Sequence, residues 1–260
     1  MIVQEGHWAL VTGASSGLGV EFAKALAARK MNLILTARSE APMRTLAANL
    51  QAAHGTEVIV EPADLSTPGS SEELQQRLEG KGFNPSILVC NAGAGSSGNF
   101  IEQDPKRLRR VLELDVVSLT ELTRLFGQGM HARGAGRILL VASMAAFQPT
   151  PLTAVYGAAK AYVLSLGEAL HVELAPTVGV TVLCPGFMNT GFAAAADYRP
   201  PAMARATLLD PAAVAAVGID ALLSGRSSVV PGKLNALTAL SSRFLSRHQL
   251  AKMVYRDAQA

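Results

Sequence analysis

Cysteine, charge and long apolar runs are all scarce in this chain, and each scarcity excludes something. Only two cysteines, Cys90 and Cys184, occur in 260 residues. Both sit inside apolar stretches, which reads as buried free thiols in a reducing compartment rather than as a disulfide. The five histidines are scattered without metal-ligand spacing, so no metal site is expected. Charged residues make up 17% of the chain and the formal net charge is +3. That gives no whole-chain signal for nucleic acid, and a partner should be small and mostly buried. No uninterrupted apolar run reaches the roughly 18 residues that cross a bilayer, and the N-terminus lacks a basic start followed by an apolar stretch. The expectation is a cytoplasmic protein with no transmembrane segment.

What is present is core material. A hydrophobic fraction of 49% supplies one large core, and no repeat, linker or low-complexity segment divides residues 1–260, so one α/β domain is expected. Short apolar runs mark buried parallel strands. They are Trp8–Thr12, Asn32–Ala37, Glu57–Glu61, Ile87–Cys90, Arg137–Ser143, Val180–Cys184 and Ser227–Pro231. Between them lie helical stretches, one starting near Gly17, one running from Asp104-Pro105 to about Arg133, one carrying Tyr156, and one starting at Asp210-Pro211. The alternation argues a Rossmann-like, doubly wound parallel sheet of seven strands with helices on both faces.

Several strand ends carry chemistry. The first runs into the turn Thr12-Gly13-Ala14-Ser15-Ser16-Gly17-Leu18-Gly19, whose backbone can approach a pyrophosphate while the next helix offers free N–H groups. Three residues rather than one separate its first two glycines, unlike the usual dinucleotide fingerprint, and an ordinary strand-to-helix corner is the plain alternative. The second strand ends at Arg38-Ser39, where an acidic residue would take a ribose 2′-hydroxyl and an arginine suits a 2′-phosphate. NADP(H) is therefore expected over NAD(H), against the alternative of a solvated loop arginine. Asp64, followed by Leu65, can accept from an adenine amino group or cap the next turn. Asn91-Ala92-Gly93 allows close backbone approach to a ligand, with Asn91 able to lock the strand end.

Tyr156 and Lys160 stand four apart on one helix face, where an ammonium can pull a phenol toward the working pH range and let it move a proton to or from a substrate oxygen. A packing tyrosine and a solvated lysine is the common alternative for such a pair. Ser143 ends the fifth strand, at the sheet edge where ligands sit. No Gly-x-Ser-x-Gly elbow or His–acid partner surrounds it, which ranks hydrolase chemistry low.

In order and spacing, Thr12-Gly-x-x-x-Gly-x-Gly19, Asp64, Asn91-Ala-Gly93, Ser143, Tyr156-x-x-x-Lys160 and Pro185-Gly186 with Thr190 resemble the short-chain dehydrogenase/reductase family over residues 7 to 232. The resemblance implies hydride transfer between a nicotinamide and a carbonyl or secondary alcohol. Tyr156 would be general acid or base, Lys160 would lower its pKa and hold the nicotinamide ribose, Ser143 would orient the substrate oxygen, and Thr190 would bind the carboxamide. Arg38 resembles the NADP-preferring branch. The family's helix asparagine aligns with Asp115, so a relay with an altered pH profile is expected, its sign left open. Pairing through the helices of Asp115 and Tyr156 is implied, as a homodimer or homotetramer. The alternative is a sensor that binds NADP(H) on the same fold without turnover.

Phe187 to Met203 lacks periodicity after strand six and reads as a lid. Phe147, Phe187, Met188 and Phe192 suggest an apolar or acyl-bearing substrate, or simply core packing. Residues 233–260 form an extension in which Leu237, Leu240, Phe244, Leu245, Leu250 and Val254 alternate with Arg243, Arg247, Lys252 and Arg256. A basic amphipathic helix there would cover the pocket or a subunit interface, the favoured reading, or rest on an anionic membrane surface.

Overall fold

Seven short strands fill both faces of one parallel sheet, in the order β3-β2-β1-β4-β5-β6-β7. The computed structural model describes residues 6–198, 208–242 and 244–259. Pro200, Pro201 and Met203 of the expected lid, and Arg243, lie outside the described residues. The strands are β1 (Trp8–Thr12), β2 (Asn32–Thr36), β3 (Val58–Val60), β4 (Ile87–Cys90), β5 (Gly136–Val141), β6 (Val178–Leu183) and β7 (Ser228–Val229). The helices of the crossovers are α1 (Gly17–Ala27), α2 (Glu40–His54), α3 (Ser70–Gly80), α4 (Pro105–Leu112), α5 (Leu119–Ala132), α6 (Ala154–Glu173), α7 (Phe192–Ala195) and α8 (Pro211–Leu223). Two more, α9 (Lys233–Ser241) and α10 (Arg247–Gln259), follow β7.

Side chains alternate across a strand, and the two apolar clusters follow that period. Val11, Leu33, Leu35, Val89, Leu139 and Leu183 pack with α1, α2 and α8 on one face. Leu10, Ile34, Leu88, Cys90, Leu140 and Val182 pack with α3, α5 and α6 on the other. Both thiols are free and buried, and burial pushes each up to about 12, where it is inert. The strand order reverses between β1 and β4, so their carboxyl ends open a crevice there.

Two helical expectations change. The stretch from Asp104 to Arg133 is helical throughout, started by the Asp104 side chain accepting from Lys106 N, but Glu113–Ser118 winds as a π-helix between α4 and α5. The extra residue in that turn brings Asp115 and Ser118 both inward, Ser118 Oγ to 3.1 Å from Ser71 Oγ. The expected single C-terminal helix is two. Ser246 and Gln249 form a reciprocal capping box, with Ser246 N donating to Gln249 Oε1 (3.1 Å) and Gln249 N to Ser246 Oγ (3.3 Å), which starts α10 afresh.

Candidate active site

The crevice between β1 and β4 is shaped by Thr12 and Asn91. Thr12 Oγ1 donates to Val89 O (3.2 Å) and accepts from the amides of Asn91 and Ala92 (2.9 Å each), fastening the ends of β1 and β4 together. Asn91 Nδ2 donates to Thr12 O (2.9 Å) and Gly13 O (3.4 Å), bracing the glycine turn from the neighbouring strand. Gly13 has φ +68°, and a Cβ there would lie 2.9 Å from Ala92 Cα; one on Gly19 would lie 2.2 Å from Gly13 O. Close packing thus requires both glycines. Ser16 precedes α1 without capping it through its side chain, which leaves the first amides of the helix without that partner. Gly17 (φ +55°) faces Thr190, 3.5 Å from where its Cβ would be. A turn this small, at a helix start whose amides lack a side-chain cap, fits a diphosphate.

Arg38 lines a cavity of about 450 Å³ that runs past Gly93, Ala94 and Gly95 to Phe192 and Ala195. Ser39 precedes α2, and Leu65 is buried in the core. Asp64 does cap its turn: Oδ1 accepts from Ser66 N (3.1 Å) and Ser66 Oγ (2.6 Å). Partial burial works against its carboxylate, but those bonds and then Arg110 and Arg38 outweigh it and hold the group below its ordinary value.

Beyond Gly93 the catalytic candidates come together. Ser143 leaves β5 into the 3-10 turn Met144–Phe147, where its Oγ accepts from Ala145 N at 3.1 Å and keeps its own proton to donate. Lys160, 4% exposed, points from α6 to the end of β5 and donates to Val141 O at 3.1 Å. Its Nζ lies 5.6 Å from the centre of the Tyr156 ring and 3.1 Å from Asp115 Oδ2. Asp115 is fully buried, and its Oδ1 accepts from Ala94 N at 2.7 Å. Gly93 is small because a Cβ there would meet both Asp115 oxygens and Lys160 Nζ at 3.3 to 3.4 Å.

The electrostatics correct one expectation. Lys160 and the Ser143 hydroxyl do favour the Tyr156 phenolate, but burial outweighs them and Asp115 adds to it, so the phenol sits above rather than below its ordinary value. Burial also raises the Asp115 carboxyl, against Lys160 and the Ala94 amide. For Lys160, burial opposes the cation, and Asp115 followed by Tyr156 overcomes it, leaving its pKa raised. Asp115 thus acts in the raising direction on both partners.

On the substrate side, Phe192 is the expected residue that reaches Tyr156, with ring centroids 5.7 Å apart. Phe187 stacks on Tyr198 at 5.9 Å, while Met188 and Phe147 pack against opposite faces of the core. Thr190 Oγ1 accepts from Phe192 N at 3.4 Å, just before the short helix α7. Pro185 O accepts from Met144 N (2.9 Å), tying the Pro185-Gly186 turn to the Ser143 loop, and a Cβ on Gly186 would sit 2.4 Å from Asn235 Nδ2 of α9.

Sequence reasoning missed the contribution of α4. Lys106, Arg107 and Arg110 line the same cavity as Arg38, and Arg107 also holds the segment after Phe192, pairing with Asp197 and donating from Nη2 to Ala195 O at 2.8 Å. Ser97 Oγ adds a bond to Asp197 O at 2.7 Å. The signal was four cations in five residues directly after the Asp104-Pro105 helix start.

Residues 7–199 match the model of the short chain dehydrogenase family. The very-long-chain 3-oxoacyl-CoA reductase of Phaeosphaeria nodorum is 35% identical over 183 residues, 69% of this chain and 53% of the relative, so the chain spans about half that relative's length. A short-chain dehydrogenase from Sphingobium yanoikuyae, solved with NADPH, superposes with TM-score 0.82 at 27% identity, covering 92% of this chain and 93% of the other. A Burkholderia phymatum relative solved with NAD gives TM-score 0.82 at 29% identity, covering 92% and 94%. With the family model matched over residues 7–199 and the fold shared with these structures, the chain belongs to the short chain dehydrogenase family.

Proposed function

We propose that the protein is an NADP(H)-preferring reductase of carbonyls, or oxidant of the matching secondary alcohols, with an apolar or acyl-bearing substrate. The observation that carries the catalytic assignment is the buried Lys160 held between Val141 O and Asp115 beneath the Tyr156 ring. In reduction the Tyr156 hydroxyl donates its proton to the carbonyl oxygen as that atom gains negative charge, and its raised pKa keeps it protonated at neutral pH. Ser143 Oγ, already accepting from Ala145 N, donates its own hydrogen to the same oxygen and orients it. Lys160 stabilises the phenolate left behind. The cofactor, when bound, supplies the hydride.

Arg38 supports the preference for a 2′-phosphate, since it shares one cavity with Arg110 and both cations act on the Asp64 carboxylate. The contact of Phe192 with Tyr156 supports an apolar substrate, and the 3-oxoacyl-CoA activity named for the Phaeosphaeria relative points the same way. Exposed Leu112, Val117, Tyr162 and Val172 on the helices of Asp115 and Tyr156 support self-association through them. The test is consumption of NADPH and of NADH against a panel of ketones and 3-oxoacyl thioesters. Turnover favouring NADPH and apolar acyl substrates is expected, and equal or better efficiency with NADH overturns the Arg38 assignment.

A further inference from the structure

The helix α9 turns its leucines to solvent. On α9 the buried positions are Asn235 and Ala239, while Leu234, Leu237 and Leu240 face outward, Leu237 with 61% of its surface exposed. Phe244 (81% exposed) and Leu245 follow in the chain, and α10 adds exposed Met253 and Tyr255 while its Leu250 turns inward. Residues 233–259 thus hold seven of the 16 large apolar side chains exposed among the described residues. A surface helix normally buries its leucines, so a run of outward leucines marks a contact surface.

The charge on the same segment is one-sided. Residues 233–260 contain five of the 23 lysines and arginines but one of the 20 acids, Asp257. Their net charge of +4, against +3 for the whole chain, leaves the other 232 residues at −1. The cations Lys233, Arg247, Lys252 and Arg256 are exposed on the same two helices. A second copy of this chain meeting this segment about a two-fold axis would set these cations against themselves. An anionic lipid surface matches both the leucines and the cations.

The buried side of α9, opposite these leucines, packs near the reaction site. Asn235 sits directly under Gly186, α9 packs against the turn Met144–Phe147 that follows Ser143, and Asp257 of α10 is close enough to Tyr198 to raise its phenol, after burial itself. We propose that α9 and α10 form a docking face for anionic lipid bilayers. This face stands whether the enzyme prefers NADPH or NADH.

Co-sedimentation of the full chain with phosphatidylcholine vesicles, with and without phosphatidylserine, tests it without cofactor or substrate. Binding is expected with phosphatidylserine only, to weaken with salt, to disappear in Leu237→Gln/Phe244→Gln, and to fall roughly thirty-fold in Arg247→Gln/Lys252→Gln, two cations at about 1 kcal/mol each. Failure to bind overturns the proposal, as does binding that both double variants retain at the level of the unaltered chain. So does a fall in oligomeric mass in Leu237→Gln/Phe244→Gln by light scattering without any lipid binding by the unaltered chain, which would assign the face to a second copy. NADPH turnover of a water-soluble ketone reads the active site separately, and it is expected to be unchanged in both double variants.

Discussion

Asp115 Oδ2 lies 3.1 Å from Lys160 Nζ, and neither side chain has more than 5% of its surface in contact with solvent. The cation is thereby fixed beneath the Tyr156 ring, and a second negative potential enters a site whose working state is itself an anion. Burial raises the phenol and Asp115 raises it further, while Lys160 and Ser143 restrain the rise.

Asp115→Asn removes the negative charge and lowers the phenol pKa. Reduction needs the protonated phenol, so the alkaline fall in its pH–rate curve should move to lower pH; oxidation needs the phenolate, so its acid limb should move the same way. Steady-state rates in both directions across pH check this. Superimposable curves would remove Asp115 from the proton balance, and an upward shift would show that Lys160 had lost its proton instead.

The same pair sets a stability prediction. Removing one partner strands a buried charge at a cost of about 3–5 kcal/mol, while replacing both with apolar residues costs less than the sum. Lys160→Met or Asp115→Leu should each lower Tm by the order of 10 °C, with the double variant closer to the unaltered protein than additivity gives. Additive melting shifts would mean that the two charges are not coupled.

Tyr156→Phe keeps the ring that packs on Phe192 and deletes the proton donor. Turnover should fall by about 10²- to 10⁴-fold. NADPH affinity by fluorescence titration should change little, which separates a lost donor from a damaged pocket.

Arg38→Leu should weaken NADPH by about 10- to 100-fold, the worth of a hydrogen bond to a charged group, and leave NADH nearly unaffected. Paired kcat/KM values for the two cofactors decide it. A parallel loss for both would make Arg38 a structural residue.

Arg107→Gln releases the latch to Asp197 and Ala195 O. The ion pair is exposed and contributes at most about 1 kcal/mol to stability, so Tm should hold. Freeing that segment, the expected lid, should change kcat and KM together. A change in Tm alone, with kinetics intact, would make the contact purely structural.

Much of this was legible because local rules and global packing agree. The strands from Trp8 to Val229 are apolar runs bounded by turn residues, and the glycine turn, Asn91, Ser143 and the Tyr156–Lys160 face all lie at the strand and helix ends where the alternation places them. What stayed hidden depends on three-dimensional neighbours. The π-turn at Asp115 sits against Gly93 and Lys160, neighbours that spacing along the helix does not reveal. The direction of the Tyr156 pKa turns on desolvation, which residue spacing does not contain. Arg107 and Asp197 are ninety residues apart and meet only because the segment after Phe192 folds back on α4.

The bonds from Asn91 Nδ2 to the carbonyls of Thr12 and Gly13, and from Thr12 Oγ1 to both strand ends, give the glycine turn its shape from the sheet itself. Its loss of conformational freedom is met when the protein folds, not when a dinucleotide arrives. Association there can proceed as rigid docking, with little entropy left to surrender, and so adaptation to each substrate falls to the other wall of the cleft.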